Sequence, residues 1–87
     1  MIELEFIAEH FGLTKAYLAD DGSLILYLEK NNKSTYRKLE DVSRFLDYIV
    51  NRVEPPLSSE LMLNILALKI IKAKEEMEKE LNNKLNE

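Results

Sequence analysis

Apolar and charged positions change their spacing along the chain, and each spacing points to a different element. Residues 61 to 71, LMLNILALKII, are apolar almost all round, and a helix of that kind has to be covered on nearly every side. From Lys72 onward, KAKEEMEKELNNKLNE keeps only Ala73, Met77, Leu81 and Leu85 as a thin apolar line between charges. The two stretches predict one long helix within residues 57–85, its first half core and its second half a seam. Ser58 or Ser59 can cap its start, and Glu75 with Lys79 and Glu80 with Lys84 are favourably ordered i, i+4 pairs on an exposed helix.

Upstream, Val42, Phe45, Leu46, Ile49 and Val53 recur at three- and four-residue intervals, which predicts an amphipathic helix within residues 40–54. Asp41 suits its N-cap, and Glu54-Pro55-Pro56 stops it, because a residue before proline avoids the helical region.

Residues 14–39 read as a three-stranded antiparallel meander. KAYLA leads into Asp21-Gly22, a two-residue hairpin signal, and LILYLE and STYRKL flank Asn31-Asn32, residues that tolerate positive φ. With two-residue loops at both turns, Leu18 faces Ile25, and Tyr27 sits between Ala16 and Tyr36. Tyr17, Leu24, Leu26, Leu28, Thr35 and Arg37 then share the opposite face, which is expected to meet the helices. Within residues 1–13, Leu4, Ile7, Ala8 and Phe11 follow helical spacing and end at Gly12. Ile2, Leu4 and Phe6 also alternate with Glu3 and Glu5, so a strand competes for the first six positions. The expected fold is a single α+β domain: a short N-terminal helix, an antiparallel meander, an amphipathic helix and a long C-terminal helix.

Composition narrows the function more than the fold. With 87 residues the chain is small enough that association is a ready source of extra stability. It has no cysteine, which excludes a disulfide framework and fits a reducing compartment. Its start, MIELEFIAEH, puts glutamates where a signal peptide needs a positive charge and an apolar block, and no apolar run approaches the ~18 residues of a membrane span. These features predict a cytoplasmic protein with no membrane partner. The net charge of -4 is unevenly spread. Residues 1–29 carry six acids against Lys15, whereas 30–38 carry Lys30, Lys33, Arg37 and Lys38 with no acid. Together with Tyr36, those four cations form the candidate partner-binding hairpin, through steering of an acidic protein or contacts to phosphates. The bland counterpart is a lysine-rich hairpin tip that keeps a sheet edge from pairing.

No pattern in the chain carries catalysis, and no cofactor is implied. The single histidine, His10, stands beside Glu9 with no serine or cysteine nucleophile placed near it by sequence. A zinc site would need three carboxylates, Asp20-Asp21-Gly22 lacks calcium-loop spacing, and Gly12 and Gly22 stand in no phosphate loop. Residues 7–20, IAEHFGLTKAYLAD, place Ile7, Ala8, Phe11, Gly12, Leu13 and Leu18 so that the segment resembles the helix-turn-helix unit of bacterial transcription regulators of the AraC type. That resemblance implies a recognition helix over TKAYLADD and a DNA partner, whereas the Asp-Gly signal over the same residues implies a hairpin.

The expected function is therefore non-enzymatic: a small interaction or regulatory protein that occupies a surface on another macromolecule. By size, acidity and lack of chemistry it is similar to the inhibitors of host systems that phages and mobile elements encode. The alternative is a DNA-binding regulator using residues 7–20 and the hairpin at 30–38. Another protein is the first expected partner and nucleic acid the second. Self-association is expected through the helical line Ile70, Ala73, Met77, Leu81 and Leu85.

Overall fold

The computed structural model describes residues 1–40, residue 42 and residues 57–85. The predicted helix within 40–54 and its Asp41 cap lie outside the described residues, apart from Val42, which is buried in the core. The described elements are β1 (Ile2–Glu3), α1 (Glu5–Phe11), β2 (Lys15–Leu18), β3 (Leu24–Lys30), β4 (Lys33–Leu39) and α2 (Leu57–Leu85). The strands form one antiparallel sheet in the order β1-β2-β3-β4. The architecture is α+β as expected, with four strands in place of three.

The extra strand comes from the ambiguity at the N-terminus, where both periodicities are used in turn. Ile2 and Glu3 pair with Leu18 and Tyr17, and the Leu4 N–H donates to the Ala16 carbonyl at 2.8 Å. Only then does the chain turn into helix, so Ile7 and Ala8 are buried while Glu5 and Glu9 stay in solvent. Gly12 ends α1 with φ at 69°, a conformation costly for any residue with a Cβ, and this lets the Leu13 N–H return to the Ala8 carbonyl at 2.8 Å.

The two hairpin turns differ, and the difference sets the core. Asn31 and Asn32 both adopt positive φ, 51° and 65°, in the expected two-residue turn, which pairs Tyr27 with Tyr36. At the first turn only Gly22 does so, with φ at 84°. The Gly22 N–H donates to the Ala19 carbonyl, the Ala19 N–H donates to the Ser23 carbonyl, and Asp21 Oδ1 accepts the Ser23 N–H at 3.0 Å. The loop therefore holds three residues, Asp20 to Gly22. Leu18 consequently faces Leu24 instead of Ile25, and Ala16 faces Leu26.

A slip of one residue exchanges the two faces of a strand. Ala16, expected beside Tyr27, is fully buried on the core side with Leu24, Leu26 and Leu28, whereas Tyr17 moves to the opposite side. Small Ala16 lies in the stretch of β2 over which α1 packs.

The 29-residue helix α2 spans about 43 Å at 1.5 Å per residue and packs on β3 and β4. It begins at Leu57, so Ser58 and Ser59 fall inside its first turn and neither precedes it as a cap. Leu66, Ile70, Ala73, Met77 and Leu81 face the sheet, at steps of three and four. With Leu4, Ile7, Ala8, Leu13, Ala16, Leu24, Leu26, Leu28 and Val42 they make one core, so both described helices lie on the same side of the sheet. Each fully buried side chain here, Leu26, Ile70, Met77 or Leu81, contributes roughly 1.5–3 kcal/mol of burial free energy.

Candidate interaction surface

Period-two alternation along β4 divides the five residues that sequence reading grouped together. Thr35, Arg37 and Leu39 share the helix side with Leu24, Leu26 and Leu28, while Ser34, Tyr36 and Lys38 stand on the other side. Lys30 and Lys33, paired across the turn, follow the parity of the helix side. The basic hairpin is thus two half-sets on opposite faces.

Two of the helix-side cations, Arg37 and Lys30, hold the protein's own helix. Arg37 Nη2 lies 2.9 Å from Glu80 Oε2, and the buried Thr35 hydroxyl donates to the same oxygen at 2.7 Å. Arg37 Nη1 also donates to Thr35 Oγ1 at 3.3 Å, closing a three-residue clamp between β4 and α2. Lys30 lies 3.7 Å from Glu78, which Lys74 also approaches at 3.9 Å. Half-exposed pairs of this kind contribute only about 0–1 kcal/mol each, but they fix where α2 sits on the hairpin. The charge asymmetry of the sequence therefore finds much of its complement within the chain: hairpin cations meet acids from the helix tail.

On the opposite face, the register aligns Glu3, Tyr17, Ile25 and Lys38 in one row and Lys15, Tyr27 and Tyr36 in the next. Three tyrosines and an isoleucine thus adjoin one another on the side of the sheet away from the core. Tyr36 is 64% exposed, and the other three are partly exposed. The rim is charged: Lys15 lies 3.7 Å from Glu3, and Tyr27 donates its hydroxyl to Glu29 at 3.4 Å. Tyr17, Ile25 and Tyr27 were missed as site residues. Ile25 and Tyr27 keep their face in either register, but Tyr17 joins them only through the loop length at residues 20–22, for which the hint in the sequence was the ability of Asp21 to bond its own backbone two residues on.

Lys38 closes one corner of this face. Its Nζ lies 2.7 Å from Asp21 Oδ2, and that bond, helped by the Ser23 contacts, lowers the Asp21 pKa to about 2. The hydrogen bond to Asp21 raises the Lys38 pKa in turn. For a carboxylate so depressed, the stabilisation is complete above its unfolded value of about 3.9 and is lost as pH falls through about 2. Replacing Lys38→Met is expected to move the Asp21 midpoint up toward the ordinary aspartate range, read from the side-chain carboxyl ¹³C shift. A midpoint still near 2 in that variant would show that the pair does not set it.

The helical line expected to mediate self-association has another place. Ile70, Ala73, Met77 and Leu81 are buried within the single chain against its own sheet, and Leu85 is the last residue of α2. Instead, the half expected to be covered all round leaves Ile65, Leu68 and Ile71 exposed at 45%, 64% and 43%. A helix lying on one sheet is covered on one side, and three-and-four spacing along the tail matches that side.

Residues Lys15–Leu18 are strand, so no second helix follows Gly12 and the helix-turn-helix reading of residues 7–20 is corrected. Its apolar positions are used differently: Ile7, Ala8 and Leu13 enter the core, and Gly12 caps a helix that leads into a sheet. His10 is exposed in the last turn of α1, edge-on to Phe11 at 4.8 Å between ring centres. Among the described residues no group of three or more histidine, aspartate or glutamate side chains is placed to hold a metal ion, and no helix is long and apolar enough to cross a membrane. No family model matches the chain, and no curated protein or solved structure is significantly similar to it.

Proposed function

We propose that the protein is a non-enzymatic interaction or regulatory module that acts by occupying a surface on another protein. The contact is the open face of the sheet: Tyr17, Ile25, Tyr27 and Tyr36, with Lys38 at its corner. The observation that carries this reading is the patch of three tyrosines and Ile25 in two adjacent rows on the side of the sheet away from the described core. Tyrosine suits such a role because it offers a large apolar ring with little conformational entropy to lose and a hydroxyl that keeps a polar partner. A cytoplasmic setting and an inhibitor-like mode of action, covering a host protein's working surface, belong to the same proposal.

Capture from the source organism's lysate by the tagged chain, compared with Tyr27→Ala/Tyr36→Ala, tests the assignment. A protein retained by the wild type is expected to be weakened by at least about tenfold in the double variant, given what central aromatic residues contribute at interfaces. Unchanged circular dichroism would show that the fold is kept. Equal retention by both chains would remove the open face from the interaction. Nucleic acid co-purifying with the washed wild type, seen in the ratio of absorbance at 260 and 280 nm, would favour the regulator reading.

A further inference from the structure

The sheet has a second feature beside the tyrosine face, formed where β4 meets α2. Among the described strands β4 is an edge. Its two-residue turn makes Lys30 and Lys33 a hydrogen-bonded pair, so the backbone groups of Lys33, Thr35, Arg37 and Leu39 point toward β3. Those of Ser34, Tyr36 and Lys38 then point away from the sheet. The outward Tyr36 carbonyl accepts from Arg37 Nη1 at 2.9 Å.

Along this edge runs a cleft of about 250 Å³, lined by Arg37, Lys38, Leu39, Lys69, Lys72, Ala73 and Glu76. Leu39 and Ala73 give it an apolar element, and the side chains of Arg37, Lys69 and Lys72 stand around it against one acid, Glu76. Arg37 is engaged by Glu80 and Lys38 by Asp21. Lys69 and Lys72 are exposed, and neither has an acid within ion-pair distance among the described residues.

We infer that this cleft receives an extended, acidic segment of a partner protein, which adds to the sheet as a strand beside β4. In strand addition the main-chain bonds supply affinity, and pockets for alternate side chains supply selectivity. Here the outward groups of Tyr36 and Lys38, beside the cleft, supply the ladder. An incoming N–H takes the Tyr36 carbonyl from Arg37, whose guanidinium keeps Glu80. A glutamate or aspartate on the incoming strand reaches Lys69 and Lys72, and its methylenes lie on Leu39 and Ala73. One feature favours a peptide over a nucleic acid: a polyanion makes no use of the outward carbonyl acceptors. The lysines also keep the β4 edge from pairing with uncharged strands, so the same charges protect the edge and select its partner.

The inference goes beyond the open-face reading and fails separately from it, because Tyr17 and Tyr27 take no part. The probe is a capped peptide of alternating glutamate and threonine, titrated into the ¹⁵N-labelled full chain and followed by amide shifts. Shifts are expected at Tyr36 and Lys38 and across residues 69–76, with none from the corresponding lysine–threonine peptide. Lys69→Glu/Lys72→Glu should weaken binding by roughly tenfold or more, since each tenfold is only ~1.4 kcal/mol. Both side chains are exposed, and core amide shifts will show that the fold persists. Tyr17→Ser/Tyr27→Ser should leave peptide binding unchanged. Peptide-induced shifts that avoid β4, or equal binding by the charge-reversed chain, would overturn the inference. So would shifts at these amides that inorganic phosphate reproduces alone, or that duplex DNA produces more strongly than the peptide.

Discussion

Met77→Glu is expected to unfold the protein, with loss of the cooperative thermal transition and of most ellipticity at 222 nm. Met77 is fully buried between α2 and the sheet, next in line with Ile70, Ala73 and Leu81. Burying a carboxylate there without a partner costs several kcal/mol, and even truncation to alanine costs about 2–5 kcal/mol. A domain of this size has only about 5–15 kcal/mol in total and commonly sits near the low end. Leu68→Glu is the control: on the same helix but 64% exposed, it should change the melting temperature little. A seam used only for self-association would give the reverse pattern, with Met77→Glu a folded monomer. Light scattering and circular dichroism on the two variants separate these outcomes.

A comparable loss is expected for Ala16→Asp, and this one tests the register of the sheet. Ala16 is wholly inaccessible and faces Leu26, so an aspartate there brings both a charge and added volume into a closed space. Its neighbour Tyr17, on the other face and partly exposed, should accept Asp at a cost of about 1 kcal/mol, the scale of strand preferences. In the two-residue-loop register the sensitivities would be exchanged. Urea denaturation of the two variants decides between them. An Ala16→Asp chain as stable as the wild type would mean that the three-residue loop at Asp20 to Gly22 is wrong.

Much of the architecture was legible because its causes are local. Alternation over LILYLE and STYRKL marks strands, Asn31-Asn32 accepts the positive φ of a tight turn, Gly12 accepts the positive φ that ends a helix, and the three-and-four spacing of Ile70, Ala73, Met77 and Leu81 marks one face of α2. In each case the residue type and its spacing are enough, since the energy involved lies within a few positions of the chain.

The rest depended on contacts between distant residues. Whether Asp21-Gly22 closes a two- or a three-residue loop turns on one side-chain bond, Asp21 to the Ser23 N–H, together with the burial gained when Ala16 and not Tyr17 faces inward. Lys30 and Arg37 look like free cations until Glu78 and Glu80, more than forty residues away, are brought against them. The apolar line of the helix tail is the same whether it meets a second chain or the chain's own sheet, because periodicity specifies a face and leaves its partner open. The open tyrosine face and the cleft between β4 and α2 arise in the same way. Local rules shape each element from its own residues, but which faces end up covered is settled only when the elements compete for one small core, and no window of sequence contains that competition.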